Sequence, residues 1–559
     1  MSLPLLAAGV LVLLFLGYRY YGRFISRQYA LDDARATPAV TVNDGVDFVP
    51  TRPFYLLGQH FSAIAAAGPI AGPILAAQQF GWLPAVLWIC LGVVFIGAVH
   101  DLSTLIASVR HGGSSIAEVI REQLGPGAGV TMMAFIWVAL VYVIVAFTDV
   151  TVSTFIAGDP DLAGLKFEFN QGGAVAVAAT LYLLLAIAMG LVERYLKPKL
   201  WLQTIIFVPA TIGVVWLGTQ FSTLLVFGPV AWAVLILAYC FVASLTPVWL
   251  LLQPRGYLGG FVLYLALAIG VIGIFFGGFE IQLPAFKGFQ TPGASGMLFP
   301  FLFVTIACGA CSGFHGLVCS GTTSKQISKE SHCHPVGYGA MLMEGFVAVI
   351  ALATVMIATG AETAGKPAGT VYGIGIGRFV AVLLGPEHLP LAITFGAMAF
   401  STFVFDTLDV STRLGRYILQ ELFGLKGKLG AAIGTGLTVG IPLLFLLSAE
   451  PGSYKKFWVL FGTSNQMLAA LSLMGITVWL KRSNKRYWYT LWPMVFVSAI
   501  TFTSLVLQVH QAFFGASTSV VQQVNGGVAA VLFVLAATLM TQGTRALLQK
   551  PLMQVAVTP

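Results

Sequence analysis

Read for the alternation of apolar and polar positions, the chain is a succession of long apolar runs joined by short polar connections. Runs long enough to cross a bilayer, about 20 residues each, lie near 3–22, 56–79, 83–109, 129–157, 172–194, 199–220, 227–251 and 256–280. They continue near 298–320, 337–360, 390–412, 429–448, 456–480, 489–513 and 526–548. The pattern predicts an all-α polytopic membrane protein of about fifteen transmembrane helices. A weaker run at Val371–Leu384, carrying Arg378 and several glycines, is assigned to a surface or re-entrant helix.

Two of the runs are interrupted. Leu56–Phe80 reads LLGQHFSAIAAAGPIAGPILAAQQF, with Gly68, Pro69, Gly72 and Pro73 close to its middle. Proline lacks an N–H and clashes with the preceding turn, and glycine is a poor helix former, so the helix is expected to unwind there. Gly296–Thr322 repeats the feature with Gly309, Gly313 and Gly316. Unwound backbone at membrane depth persists only where it lines a cavity or is buried in protein. Paired interrupted helices in the two halves of a chain point to the binding site of a secondary transporter. Close helix packing through small residues is the alternative for either segment alone. The substrate-binding candidates are therefore Gly68, Pro69, Gly72, Gly309, Ser312, Gly313 and His315.

Composition agrees with the pattern and sets the orientation. The chain is 58% hydrophobic and 9% charged, against about a quarter charged in soluble domains. Its formal charge of +8 does not indicate nucleic acid, because the basic residues are scattered through short loops. The six cysteines lie in or beside apolar runs and read as reduced thiols. The first run has neither a preceding basic residue nor a small-residue cleavage site, so it reads as a span and not a signal peptide. With the N-terminus outside, 23 of the 29 basic residues fall inside, leaving Lys166, Lys287, Lys366, Arg378, Lys455 and Lys456 outside. The C-terminus is then cytoplasmic, and the two interrupted runs cross in opposite directions. Five runs counted from each give inverted repeats at about 56–220 and 298–480, with peripheral helices at 1–26, 227–280 and 489–548. That is a LeuT-like 5+5 inverted-repeat core with broken helices, a single transporter domain over 1–559.

Ionisable groups inside spans are functional candidates by default, here His60, His100, Asp101, Asp149, His315, Glu344, Asp406 and Asp409. Proton coupling or gating is assigned to His60, Asp101, Asp149, Asp406 and Asp409. Asp149 is the preferred proton site, since no basic residue is near it in sequence. Asp406 is read as a gate or pairing residue kept ionised by Arg413 two turns on, within a stripe of Asp406, Asp409, Arg413 and Arg416 that can pair internally. His315 falls in the second break, and histidine switches charge near neutral pH. Cys308, Cys311, His315 and Cys319 form C-x2-C-x3-H-x3-C, which leaves a metal or redox protein as the alternative reading. Against it, one helix spreads four such ligands over about 16 Å, whereas tetrahedral zinc needs them to converge. His332, Cys333 and His334 carry the same ambiguity. No G-x-x-x-x-G-K-[ST] occurs, so coupling to an ion gradient is expected over ATP, with no cofactor.

Six stretches together resemble the carbon starvation protein family, CstA, over nearly the whole chain. They are DGVDFVPT at 44–51, HFSAIAAAGPIAGPILAAQQFGWLP at 60–84, GAVHD at 97–101, CGACSGFHGLVCSGTTSKQI at 308–327, FDTLDVSTRLGRYILQ at 405–420 and LFGTSNQMLAA at 460–470. Cys311, Cys319 and His100 depart from the family pattern. The resemblance implies a bacterial inner-membrane transporter, not an enzyme, of the amino acid, polyamine and organocation superfamily, tied to carbon starvation. Its implied cargo is pyruvate, taken up with protons, or small peptides, and its other partner is membrane lipid. Both cargoes carry a carboxylate, which the positive ends of two half-helices would hold.

The charge division predicts the accessibility of single cysteines. A cysteine introduced beside Lys287 reacts with an impermeant maleimide in intact cells, and one at Ser483, among Lys481, Arg482, Lys485 and Arg486, does not. The reverse labelling would invert the topology.

Overall fold

The computed structural model describes residues 2–45, 47–158, 162, 167–292, 296–448, 453–515 and 519–549. Lys166 and Lys550, both counted in the charge division, lie outside them. Helices make up nearly all the regular structure. In chain order they are α1 (Leu3–Tyr29), α2 (Pro53–Ile64), α3 (Gly68–Phe80), α4 (Trp82–Arg110), α5 (Ile116–Leu124), α6 (Pro126–Phe155) and α7 (Gln171–Leu196). Next come α8 (Leu200–Gln220), α9 (Pro229–Leu245), α10 (Leu252–Phe276), α11 (Leu298–Thr305), α12 (Gly313–Gly321) and α13 (Glu330–Met356). The last six are α14 (Ala368–Leu384), α15 (Pro386–Phe423), α16 (Gly427–Ser448), α17 (Lys455–Arg482), α18 (Trp488–Phe514) and α19 (Val520–Leu548).

Among the described residues, 12 helices are long and apolar enough to span, or 13 when the bent pair α2 and α3 is one span. The expected fifteen is thus reduced. The run at 227–251 yields only the 17 residues of α9, because Thr246, extended ahead of Pro247, ends the helix. The run at 298–320 divides into α11 and α12, separated by residues 306–312. A second correction concerns Val371–Leu384, which is no surface helix. It is α14, buried along most of its length against α15 and α10. The glycines that weaken its helical signal are close-packing positions: a Cβ on Gly373 would lie 2.9 Å from the Ile393 carbonyl of α15.

Both interruptions exist, each shifted from the residues expected to unwind. In the first, Gly68, Pro69, Gly72 and Pro73 are helical within α3, and the break lies one turn earlier. Ala65 has φ −75° and ψ 57°, and the half-helices meet at 47°. The cause is steric, since a proline ring collides with the carbonyl four residues before it, and four before Pro69 is Ala65. Pro69 itself sits in the first turn of α3, where a missing N–H costs nothing. In the second, the unwound stretch is 306–312, so His315 is the third residue of α12 and not part of the break.

The two breaks touch. A Cβ on Gly68 would collide with the Cys308 sulfur, and one on Gly72 would lie 2.6 Å from the Thr305 carbonyl. α13 packs beside α3, while α17 crosses both α11 and α12 and continues onto α6. The tightest approach of α17 is at Gly462, where a Cβ would overlap the Val304 carbonyl. Gly462→Ala therefore displaces backbone and destabilises by about 1–3 kcal/mol. Gly440→Ala, in an open position on α16, is neutral or stabilising by up to about 1 kcal/mol. Thermal unfolding of the purified protein in detergent tests the pair, and equal melting temperatures would contradict the close packing of α17 on α11.

Candidate functional site

Beside the crossing of the broken helices, four side chains from three helices form one buried polar chain. Asp101, midway along the second half of α4, is 0% exposed. Its two oxygens accept from His100 Nδ1 at 2.7 Å and His315 Nδ1 at 2.9 Å. The other ring nitrogen of His315, Nε2, lies 3.1 Å from Glu344 Oε2 on α13, an ion-pair contact outside ideal hydrogen-bond alignment. Glu344 and His100 are also 0% exposed. Between two ionised carboxylates the complementary form of His315 is the doubly protonated imidazolium, which carries an N–H at each end. Two acids and one imidazole in a dry site can hold different numbers of protons, which is what a proton-binding centre requires.

His60 on α2 approaches the same place. Its Nδ1 is 2.9 Å from Thr323 Oγ1 and its Nε2 is 3.8 Å from Cys319 Sγ. The four residues of the alternative metal reading, Cys308, Cys311, His315 and Cys319, do not converge. Cys308 and Cys311 lie in the unwound stretch, and His315 is engaged by the two acids. Among the described residues it is His60, Asp101 and Cys319 whose ligand atoms gather, within 4.8 Å of one another. Both Asp101 oxygens there already accept bonds from histidines.

Gly68, Pro69, Gly72 and Gly309 line the crossing, where the first break faces Thr305, Cys308 and Gly309, so in this conformation the breaks close on each other. Gly313 packs instead against Asn465, Leu468 and Ala469 of α17. Ser312 Oγ is 3.3 Å from Asn465 Oδ1, and that same oxygen accepts from the Phe314 N–H at 2.9 Å. Asn465 on α17 thus caps α12, and a cavity beside it, lined by Ile136, Phe314, Leu317, Ser464 and Leu468, has room for about one water. Asn465 is absent from the sequence-derived candidates. Its signal was the polar run GTSNQ inside an otherwise apolar span.

Asp149 is buried on α6, at 5% exposure. Asp406 and Asp409 on α15 form a second cluster. Their partner is not Arg413 but Arg255 at the start of α10, which pairs with both. Arg413 instead donates to the Ala243 and Thr246 carbonyls at 2.8 and 2.9 Å, and Arg416 to Ser244 at 2.7 Å. The stripe therefore pairs outward, because the carbonyl end of α9 lies opposite these two bases and offers the negative pole that they complement. Arg255 stands between two apolar runs, so hydropathy reads it as a loop residue.

Comparison with known proteins follows the same lines. The model of the family described as carbon starvation protein CstA matches residues 1–371 and 358–504. The chain is 34% identical to the pyruvate/proton symporter BtsT of Escherichia coli, covering 91% of this chain and 81% of that protein. It is 34% identical to the peptide transporter CstA of Helicobacter pylori, covering 88% of this chain and 80% of that one. Among solved structures it is similar to the Eremococcus coleocola manganese transporter, at 12% identity and a TM-score of 0.43, over 89% of this chain and 97% of that one. With its family motifs distributed across both breaks, α15 and α17, the chain belongs to the carbon starvation protein CstA family.

Proposed function

We propose that this chain is a secondary active transporter of the bacterial inner membrane that takes up pyruvate or a short peptide together with protons. The relatives bear the names of a pyruvate/proton symporter and of peptide transporters. The observation that carries the coupling is the chain Asp101, His315 and Glu344, buried where α4, α12 and α13 meet beside the crossing of the breaks. A coupling site must exchange a proton between two states, and an imidazole between two carboxylates in a low-dielectric interior does so without leaving an isolated charge. We assign a coupled proton to this chain in preference to Asp149.

Alternating access then operates about the breaks, with inverted repeats at 56–220 and 298–480, the N-terminus outside and the C-terminus cytoplasmic. Gly68, Pro69, Gly72, Gly309, Ser312 and Gly313 supply the close backbone that separates around the substrate. Closed, this junction is the occluding contact, as the fit of Gly68 on Cys308 suggests.

Proteoliposomes loaded with buffer and given an inward proton gradient test the reading with labelled pyruvate and labelled dipeptide. Wild type accumulates its substrate by up to about tenfold per pH unit for each coupled proton. Glu344→Gln fixes one acid in its neutral form and removes the proton this chain contributes, so accumulation falls by about tenfold per pH unit of gradient while counterflow exchange persists. Accumulation by Glu344→Gln at the wild-type level would remove the coupling role from this chain, and absence of uptake of either compound by wild type would remove the transport reading.

A further inference from the structure

The second charged cluster recognises an anion by its own construction. Arg255 is 0% exposed, and its two terminal nitrogens meet Asp406 Oδ1 and Asp409 Oδ2. Tyr239 of α9 completes the Asp409 side, donating to Oδ2 at 2.7 Å while lying 3.1 Å from Arg255 Nη1. Tyr182 of α7 donates to the Arg255 carbonyl at 2.9 Å and so fixes the backbone that carries the guanidinium. Arg255 Nε and Asp409 Oδ1 are buried without a hydrogen bond, so the fork is held but not saturated.

The two carboxylates are not equivalent. The Asp409 side chain is 4% exposed and is gripped by Tyr239, whereas that of Asp406 is 23% exposed and has Arg255 as its hydrogen-bond partner. Asp406 is therefore the removable one. Next to it, Gly259 of α10 packs directly on this acid: a Cβ there would be 2.9 Å from Asp406 Oδ2. The adjacent Gly260 faces Ser62 of α2, in the first broken span.

We infer that Arg255 is the residue that binds the substrate carboxylate, and that Asp406 occupies its place until the substrate arrives. A guanidinium presents a planar fork matched to a carboxylate and is always charged, so it recognises this group in either case, pyruvate or a peptide C-terminus. Replacing the Asp406 carboxylate by that of the substrate preserves the geometry of the fork. Charge balance sets the condition: one cation cannot hold three carboxylates in a dry site, so Asp406 leaves as the neutral acid, and one proton enters with each anion. The groups facing the two acids are Arg255 of α10, Tyr239 and Cys240 of α9, Tyr182 of α7, and Arg413 on α15 itself. Arg413 is already bonded to α9 carbonyls, which leaves Arg255 as the cation that changes partners.

This inference rests on the transport reading above, and its test separates the two. The KM for labelled pyruvate is measured in proteoliposomes under exchange conditions, at equal internal and external pH, from pH 6 to pH 8. In wild type it rises with pH, by as much as about tenfold per unit once Asp406 must be protonated for binding. In Asp406→Asn, an isosteric neutral side chain, the rise is abolished and the KM at pH 8 approaches the wild-type value at pH 6. Arg255→Gln raises KM at least about thirtyfold at every pH, while Arg255→Lys recovers part of the loss. An Asp406→Asn protein that exchanges pyruvate with the wild-type dependence of KM on pH overturns the inference and leaves the transport reading intact. Failure of wild type to exchange pyruvate or dipeptide overturns the transport reading first.

Discussion

Backbone freed from a helix inside a bilayer must find its hydrogen bonds within the protein, and that requirement shapes the centre of this molecule. The carbonyls released where α11 ends are taken up one by one. Trp88 Nε1 donates to Phe303 and Ile306 oxygens at 3.2 and 3.1 Å, Trp458 Nε1 to Thr305 at 3.1 Å, and Gln466 Nε2 to Phe303 at 2.9 Å. On the far side of the gap, Asn465 accepts from the first turn of α12. The partners come from α4 and α17, so the second break is held open by two intact helices and not by its own sequence. The first break is shorter and needs less: Ala66 donates to the Ile64 carbonyl at 2.7 Å, and α3 restarts at once.

The same economy governs charge. Each buried cluster sets one cation between two carboxylates that belong to helices other than its own: His315 between Asp101 and Glu344, Arg255 between Asp406 and Asp409. The arrangements are alike and their chemistry is not. An imidazole changes its proton count within the physiological range, while a guanidinium never deprotonates. The first cluster can alter its charge with its partners fixed. The guanidinium of the second keeps its charge and responds by exchanging partners, and a carboxylate is the group its fork accepts.

How much of this was legible in the residues depended on whether the signal was local. Pro69 and its glycines announced the first break because their effect is confined to one turn, though that effect falls on Ala65, upstream of the residues that cause it. The ionisable residues of the spans were legible individually, since none is tolerated there without a reason. Their partners were not. Arg255 is 151 positions from Asp406, and Asn465 is 151 from Phe314. Spacing along one helix paired Asp406 with Arg413, because i and i+7 share a face. The structure prefers the α9 carbonyls for Arg413, since those lie within reach and a side chain two turns away does not. The number of spans erred for a related reason: hydropathy measures the length of an apolar run, not whether a helix continues through it.

The two clusters are joined through α2. His60 on this half-helix approaches Cys319 and Asp101, and Ser62, two residues on, faces the Gly260 edge of the Arg255 cluster. Residues i and i+2 point roughly 200° apart on a helix, so one short element touches both clusters with opposite faces. The segment joins α3 through the non-helical link at Ala65–Ala67, and Gly259 and Gly260 bring α10 close to Asp406 and to Ser62 respectively. A rotation of α2 about that link would move His60 relative to Asp101 and Ser62 relative to Gly260 in the same step. One mechanical coordinate shared by two sites is the physical requirement for coupling the events at them.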